Sequence, residues 1–235
     1  MNKKDLKFLK KDKLNYTSED IKLLESGYPL AYIIGYVDFI NAKIDLRYKP
    51  LTPRTETEYW VNEILRKVNF LEKKFTFLDI FCGSGCIGIS ILQAFPDSIG
   101  IFTDLDNNAI KSTKLNLKLN KISKNNYKVI KSDLFENISD MKFDYIFANP
   151  PYVGINEKVG KEIIHEPSSA IYAKDNGMGI IKKFLKEAKS HLNENGKIFM
   201  EFGEKQKRAI RQIAESRPNF YKDQFGKDRW VEITF

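Results

Sequence analysis

From residue 75 onward the sequence alternates short apolar runs with segments of helical period, and that alternation constrains the fold more than any other feature. Runs rich in β-branched and aromatic residues at 75–80, 98–103, 127–131, 143–148 and 196–202 read as buried strands, and 87–94, 107–119, 178–192 and 204–216 read as helices. Strands that alternate with helices pair in parallel, because each helix carries the chain back across a face of the sheet. The last two strands, 221–223 and 230–235, have no helix between them. The expectation is an α/β fold with a seven-stranded, mostly parallel sheet whose final pair is antiparallel, binding ligands at the C-terminal ends of its first parallel strands.

Upstream, Thr17-Ser18-Glu19-Asp20 carries a capping signal for a short helix ending at Gly27. Residues 31–50 alternate as in Tyr36-Val37-Asp38-Phe39 and predict a β-hairpin, and Tyr59, Val61, Ile64, Leu65 and Val68 predict a helix over 55–68. A basic N-terminal appendage (1–28), a hairpin with its connecting loop (29–54) and a main α/β domain (55–235) follow. The first 14 residues hold six lysines and two aspartates, half of the net charge of +8. They read as a solvated segment, with contact to RNA or a ribosome-associated protein as the alternative. No apolar stretch approaches the ~18 residues of a membrane span. The N-terminus shows no secretory pattern, and a cytoplasmic location without membrane attachment is expected. Cys82 and Cys86 are expected as reduced thiols, and with His165 and His191 they make no zinc pattern, so no metal is expected.

After the strand ending at Ile80 comes Phe81-Cys82-Gly83-Ser84-Gly85, whose glycines let the backbone turn sharply and approach a ligand. The turn departs from the dinucleotide fingerprint and favours a nucleoside ligand without pyrophosphate, a purely structural turn being the alternative. About 20 residues on, Asp104 stands at a strand tip, where a carboxylate can accept hydrogen bonds from both ribose hydroxyls or, alternatively, cap the helix starting near Asn107. At the third strand tip Asp133 could meet an adenine amino group, or serve only as a turn residue, while Leu134 packs on the ring. Asn149-Pro150-Pro151-Tyr152 ends the fourth strand. Two prolines fix that loop, so the Asn149 side-chain carbonyl and the Pro150 main-chain carbonyl can accept both hydrogens of an NH2 group while Tyr152 covers its planar face. Such a site orients a nitrogen for methyl transfer and needs no Ser, Cys or His nucleophile.

These residues resemble the HemK/PrmC family, methyltransferases acting on the glutamine of the Gly-Gly-Gln motif in peptide-chain release factors. Also similar are Pro29-Leu30-Ala31-Tyr32-Ile33-Ile34-Gly35, Pro53-Arg54-Thr55-Glu56-Thr57-Glu58, Glu166-Pro167-Ser168-Ser169-Ala170, Glu201-Phe202-Gly203 with Gln206, and Gly226-Lys227-Asp228-Arg229. The resemblance implies a Rossmann-like class I methyltransferase using S-adenosylmethionine. It places the cofactor on Phe81, Cys82, Gly83, Ser84, Gly85, Asp104, Leu134 and Asn149, and the substrate glutamine on Asn149, Pro150, Pro151 and Tyr152. The chain departs from the family at Phe81 (a glycine), Thr55 (a proline), and His165 and Leu134 (aromatics), and its 28-residue appendage stands where the family carries a helical bundle. His165 reads as structural. Because related loops serve enzymes that methylate exocyclic amines, an adenine-N6 or similar methyltransferase on RNA or DNA stays open. So do a glutamine methyltransferase on a ribosomal protein and a non-catalytic scaffold in which Phe81 blocks the turn.

Overall fold

The computed structural model describes residues 3–13, 15–67, 74–161, 163–214 and 216–235. The lysine-rich start is folded: α1 (Lys3–Asp12) buries Leu9 completely. This corrects the reading of a solvated segment. Lys7, Lys10 and Lys11 are indeed exposed, but Leu9 packs in a small cluster with Leu24 and Ile33. One apolar anchor per helix was too weak a pattern to stand out among the lysines. α2 (Ser18–Glu25) starts as expected at a capping box in which Thr17 and Asp20 satisfy each other's backbone N–H groups. The segment expected to open the hairpin instead forms α3 (Leu30–Ile34), which Pro29 starts and left-handed Gly35 (φ 92°) stops. The hairpin is confined to β1 (Tyr36–Phe39) and β2 (Ala42–Asp45). α4 (Thr55–Lys67) follows; its expected end at residue 68 lies outside the described residues.

The alternation then unfolds as β3 (Thr76–Ile80), α5 (Cys86–Ala94), β4 (Ile99–Asp104), α6 (Asn107–Leu119), β5 (Tyr127–Lys131) and β6 (Phe143–Ala148). The loop expected over 153–170 opens with the two-residue strand β7 (Val153–Gly154), which pairs in parallel with β8 (Tyr172–Ala173) just beyond the loop's end. α7 (Gly179–Ala188), β9 (Leu192–Glu201), α8 (Lys207–Ile213), β10 (Asn219–Lys222) and β11 (Asp228–Thr234) complete the chain. α7 and α8 are shorter than the sequence predicted because 3-10 turns at Lys189–His191 and Glu204–Gln206 flank them, and β9 already pairs with β6 at Leu192.

The seven-stranded sheet has the order β10-β11-β9-β6-β3-β4-β5. β5, β4, β3, β6 and β9 run parallel, while β11 is antiparallel to both β9 and β10. The chain builds outward from β3 to β4 and β5, then returns to the other side of β3 with β6. That reversal opens a crevice at the C-terminal strand ends. Successive side chains serve opposite faces. Phe77, Phe102, Phe147 and Phe199 pack with Trp60 of α4, Ile87, Ile89 and Ile91 of α5 and the hairpin residues Phe39 and Ile44. Leu78, Ile80, Ile146, Ile198 and Met200 pack with Ile181, Phe184 and Leu185 of α7 and Ile210 of α8.

Gly88 sets how closely α5 approaches the sheet: its N–H donates to Asp79 Oδ2 at 2.9 Å, and a Cβ there would lie 2.3 Å from the Phe102 ring and 2.9 Å from the same carboxyl oxygen. Gly88→Ala is therefore expected to destabilise the fold by about 1–3 kcal/mol, read as a lower midpoint in urea unfolding.

Candidate active site

Strand register brings the site together. Ile80 pairs with Thr103 on one side and Ala148 on the other, so Phe81, Asp104 and Asn149 leave three adjacent strands at one level. Ala148 pairs in turn with Met200, which sets Glu201 beside Asn149 on the next strand. A cleft of about 400 Å³ opens there, lined by Phe81, Cys82, Gly83, Ser84, Asp104, Leu134, Asn149 and Pro151, together with Pro50–Arg54, Thr57, Asp133 and Pro167. Gly85, Pro150 and Tyr152 are not among the lining residues.

The turn after β3 is held by its own geometry and by α6. Phe81 (φ 61°), Gly83 (φ 55°) and Gly85 (φ 80°) are left-handed. Thr113 Oγ1 donates to the Gly83 carbonyl at 3.0 Å, and Asn116 Nδ2 to the Ser84 carbonyl at 3.0 Å. Asn116, fully buried, also receives the Asp45 N–H at 2.8 Å and so ties turn and hairpin to one helix. Neither Thr113 nor Asn116 stood out in the sequence; their only signal was polar residues, Ser112 among them, recurring on the buried face of α6.

Asp104 accepts the Gly83 N–H at 2.9 Å with one oxygen and the Asp106 N–H at 2.9 Å with the other. The cap of α6 is Asp106, which accepts from the Asn108 N–H. Asp104 thus has a different task, and each of its oxygens retains a lone pair. Burial pushes its carboxyl above the ordinary aspartate value, against the backbone donors that favour its charge. Phe81 leaves the cleft open, its ring meeting the Phe184 ring edge-on at 5.9 Å. Leu134 is buried with φ 46°, and Asp133 is an exposed turn residue at the cleft margin. His165 is exposed, packs against the Tyr28 ring and does not line the cleft.

The Asn149–Tyr152 loop is gripped from behind. Gln206 Nε2 donates to the Tyr152 carbonyl at 2.7 Å, while its Oε1 accepts the Gly203 N–H at 2.9 Å. Gly177 (φ 85°) passes so close that a Cβ would stand 2.0 Å from the Tyr152 carbonyl oxygen. Beneath the loop lies a polar cluster centred on Glu201, 1% exposed. Its Oε2 faces Thr57 Oγ1 (2.6 Å) and Trp60 Nε1 (2.7 Å), its Oε1 faces the Tyr152 hydroxyl (3.1 Å), and Asn149 Nδ2 lies 3.2 Å from Thr57 Oγ1. Burial pushes the Glu201 carboxyl and the Tyr152 phenol up. Arg54 pairs with buried Glu166, joining the segment before α4 to the loop beyond β7. Glu201, Gln206, Arg54 and Glu166 were marks of resemblance in the sequence without assigned roles.

The architecture fits a nucleoside-bearing cofactor. Around Gly83 the space a Cβ would take is open except for the Phe81 carbonyl at 3.9 Å, Asp104 has lone pairs to offer, and the volume suits a small ligand. The Methyltransferase small domain family matches residues 63–178. A release factor glutamine methyltransferase of Lactococcus lactis is 33% identical over 94% of this chain and 82% of its own length. The chain belongs to the HemK/PrmC family. It is a methyltransferase that uses S-adenosylmethionine. A ribosomal protein uL3 glutamine methyltransferase of Francisella tularensis is 33% identical over 76% of this chain and 57% of its own length. The fold is that of a methyltransferase structure from Pyrococcus furiosus, with a TM-score of 0.62, 20% identity and coverage of 94% and 98% of the two chains. Among the described residues no helix is long and apolar enough to cross a membrane, and no cluster of three or more His, Cys, Asp or Glu could hold a metal.

Cys82 and Cys86 are free, buried thiols beside the cleft. Burial pushes Cys86 up to about 12 and raises Cys82 as well, so both stay protonated and poorly nucleophilic at pH 8. Iodoacetamide at that pH is expected to leave the native enzyme unmodified, while intact mass shows two adducts once urea unfolds it.

Proposed function

We propose that this enzyme transfers a methyl group to the side-chain amide nitrogen of the glutamine in the Gly-Gly-Gln motif of a peptide-chain release factor, in the cytoplasm. The observation that carries this reading is the shared cleft of Asn149, Asp104 and the glycine turn. The names of the relatives and the motif at Asn149–Tyr152 support it.

In this proposal Phe81–Gly85, Asp104 and Leu134 hold the cofactor, with the Asp104 carboxylate taking the ribose hydroxyls and Leu134 the adenine face. When bound, S-adenosylmethionine supplies a methyl group made electrophilic by its sulfonium charge. The Asn149 side-chain carbonyl and the Pro150 main-chain carbonyl accept the two N–H groups of the substrate amide, and Pro151 and Tyr152 stiffen and back the loop. An amide nitrogen is a poor nucleophile because its lone pair is delocalised; two acceptors on its hydrogens draw density toward the lone pair and fix its direction. After transfer the methylated nitrogen gives up one proton to solvent, and catalysis is mostly positioning and electrostatics. The segments 1–28 and 29–54 and the loop 153–170, with exposed Ile155 and Ile164, hold the release factor around the catalytic domain 55–235.

The test offers labelled S-adenosylmethionine with a release factor, its Gln→Ala form, ribosomal protein uL3 and ribosomal RNA. Label confined to the intact factor is expected. Label on uL3 or RNA instead would overturn the substrate assignment. Asn149→Ala is expected to lower kcat by about 100-fold or more while calorimetry shows cofactor binding largely intact. Asp104→Ala is expected to weaken cofactor binding by about 10-fold or more, because a charge-assisted pair of hydrogen bonds is lost.

A further inference from the structure

An asparagine carboxamide is nearly symmetric in shape, so packing alone cannot decide which end faces a ligand. Here the decision follows from the donors and acceptors beneath it. Trp60 Nε1 can only donate, so Glu201 Oε2, 2.7 Å away, accepts from it. Thr57 Oγ1 lies 2.6 Å from the same oxygen, a length typical of a hydroxyl donating to a carboxylate. The Tyr152 hydroxyl, 3.1 Å from Oε1, brings a third donor to the group. A threonine hydroxyl has a single hydrogen. With that hydrogen on Glu201, Thr57 can only accept from Asn149, 3.2 Å away. The amide end of Asn149 that faces Thr57 is therefore its NH2, and its oxygen is turned away.

We propose that Trp60, Glu201 and Thr57 form a polarity relay that holds the Asn149 carboxamide with its oxygen toward the cleft, making them positioning residues for methyl transfer. This rests on the reading of Asn149 as an acceptor for the substrate NH2. A flipped carboxamide would fit the same space but set N–H against N–H. The relay also gives the site a sign. A glutamine offers hydrogens to an acceptor, whereas the carboxylate of a glutamate in its place offers only lone pairs and meets repulsion.

The relay starts from residues far apart in the chain. Thr57 and Trp60 are one turn apart on the same face of α4, and Glu201 ends β9. Thr57 is 2% exposed and Trp60 fully buried, so no water competes for these bonds.

Thr57→Val keeps the shape and removes both the donor and the acceptor. It is expected to lower kcat by about 10-fold or more with KM for S-adenosylmethionine close to wild type and the thermal midpoint lowered by several degrees but the protein still folded at the assay temperature. Thr57→Ser, which restores the hydroxyl, is expected to recover most of the loss. A release factor carrying Gln→Glu is expected to compete poorly with the natural factor for the wild-type enzyme and several-fold better for Thr57→Val. Turnover within twofold of wild type in Thr57→Val, alongside an inactive Asn149→Ala, would overturn the relay while leaving the acceptor reading intact. Normal turnover in Asn149→Ala would overturn that reading itself. A measurement that needs no variant is the side-chain carboxamide spectrum of the wild-type enzyme. A strong NOE from the Asn149 NH2 protons to the Thr57 β-proton is expected, and its absence in an assigned spectrum would refute the orientation.

Discussion

Parallel pairing of β3 with β4 and β6 is the constraint on which the rest of the site depends. With Ile80 opposite both Thr103 and Ala148, the C-terminal ends of three strands are in step, and Phe81, Asp104 and Asn149 follow at one level. A slip of one residue in either pairing would turn buried side chains to the opposite face and carry Asp104 or Asn149 away from the glycine turn. Two well-filled layers resist that slip, because Phe77, Phe147 and Phe199 on one side and Leu78, Ile146 and Ile198 on the other all occupy the core. Site geometry is thus a consequence of packing rather than of the loops alone.

Glu201 shows how far this principle extends below the surface. Burying a carboxylate is costly, and an apolar residue of similar size would stabilise β9 at least as well. Three donors offset the desolvation at Glu201: Thr57, Trp60 and Tyr152. What an apolar replacement could not supply is a direction for the hydrogen bonds that radiate from it. The same carboxylate braces both ends of the Asn149–Tyr152 loop, at Asn149 through Thr57 and at Tyr152 directly. With Gln206 and Gly177 closing on the Tyr152 carbonyl, the loop has little freedom to move.

The parts legible in the sequence were those with a local signature. Period gave the strands and helices of the sheet, Gly83 and Gly85 gave the turn, and the proline pair marked a fixed loop whose Asn149 and Pro151 line the cleft. The family resemblance assigned the cofactor. What period could not show is that Thr57 and Asn149, 92 residues apart, share a hydrogen bond, or that Asn116 reaches Asp45 across 71 residues. A polar residue on a buried helix face looks the same in sequence whether it is a hub or a surface position. α1 and α3 were missed for the opposite reason. Each is short, with one buried anchor, Leu9 or Ile33, and both are held by tertiary contacts that propensity does not contain.

Phe81 is where local and global demands conflict most openly. An L-residue with a large side chain at φ 61° costs roughly 1–2 kcal/mol relative to a glycine at that position. The ring is half-buried against Phe184, and burying part of an aromatic side chain returns about 1 kcal/mol. The two effects nearly cancel, so the turn keeps its conformation without glycine at its first position. Leu134 repeats the pattern across the cleft, left-handed at φ 46° yet packed among Ile138, Phe135 and the α7 side chains. Both residues line the cleft with a left-handed backbone and pack side-chain surface against the second face of the sheet. The backbone around the cleft is thereby held by the packing of the sheet's second face, which ties the shape of the cleft to α7 as well as to the turn.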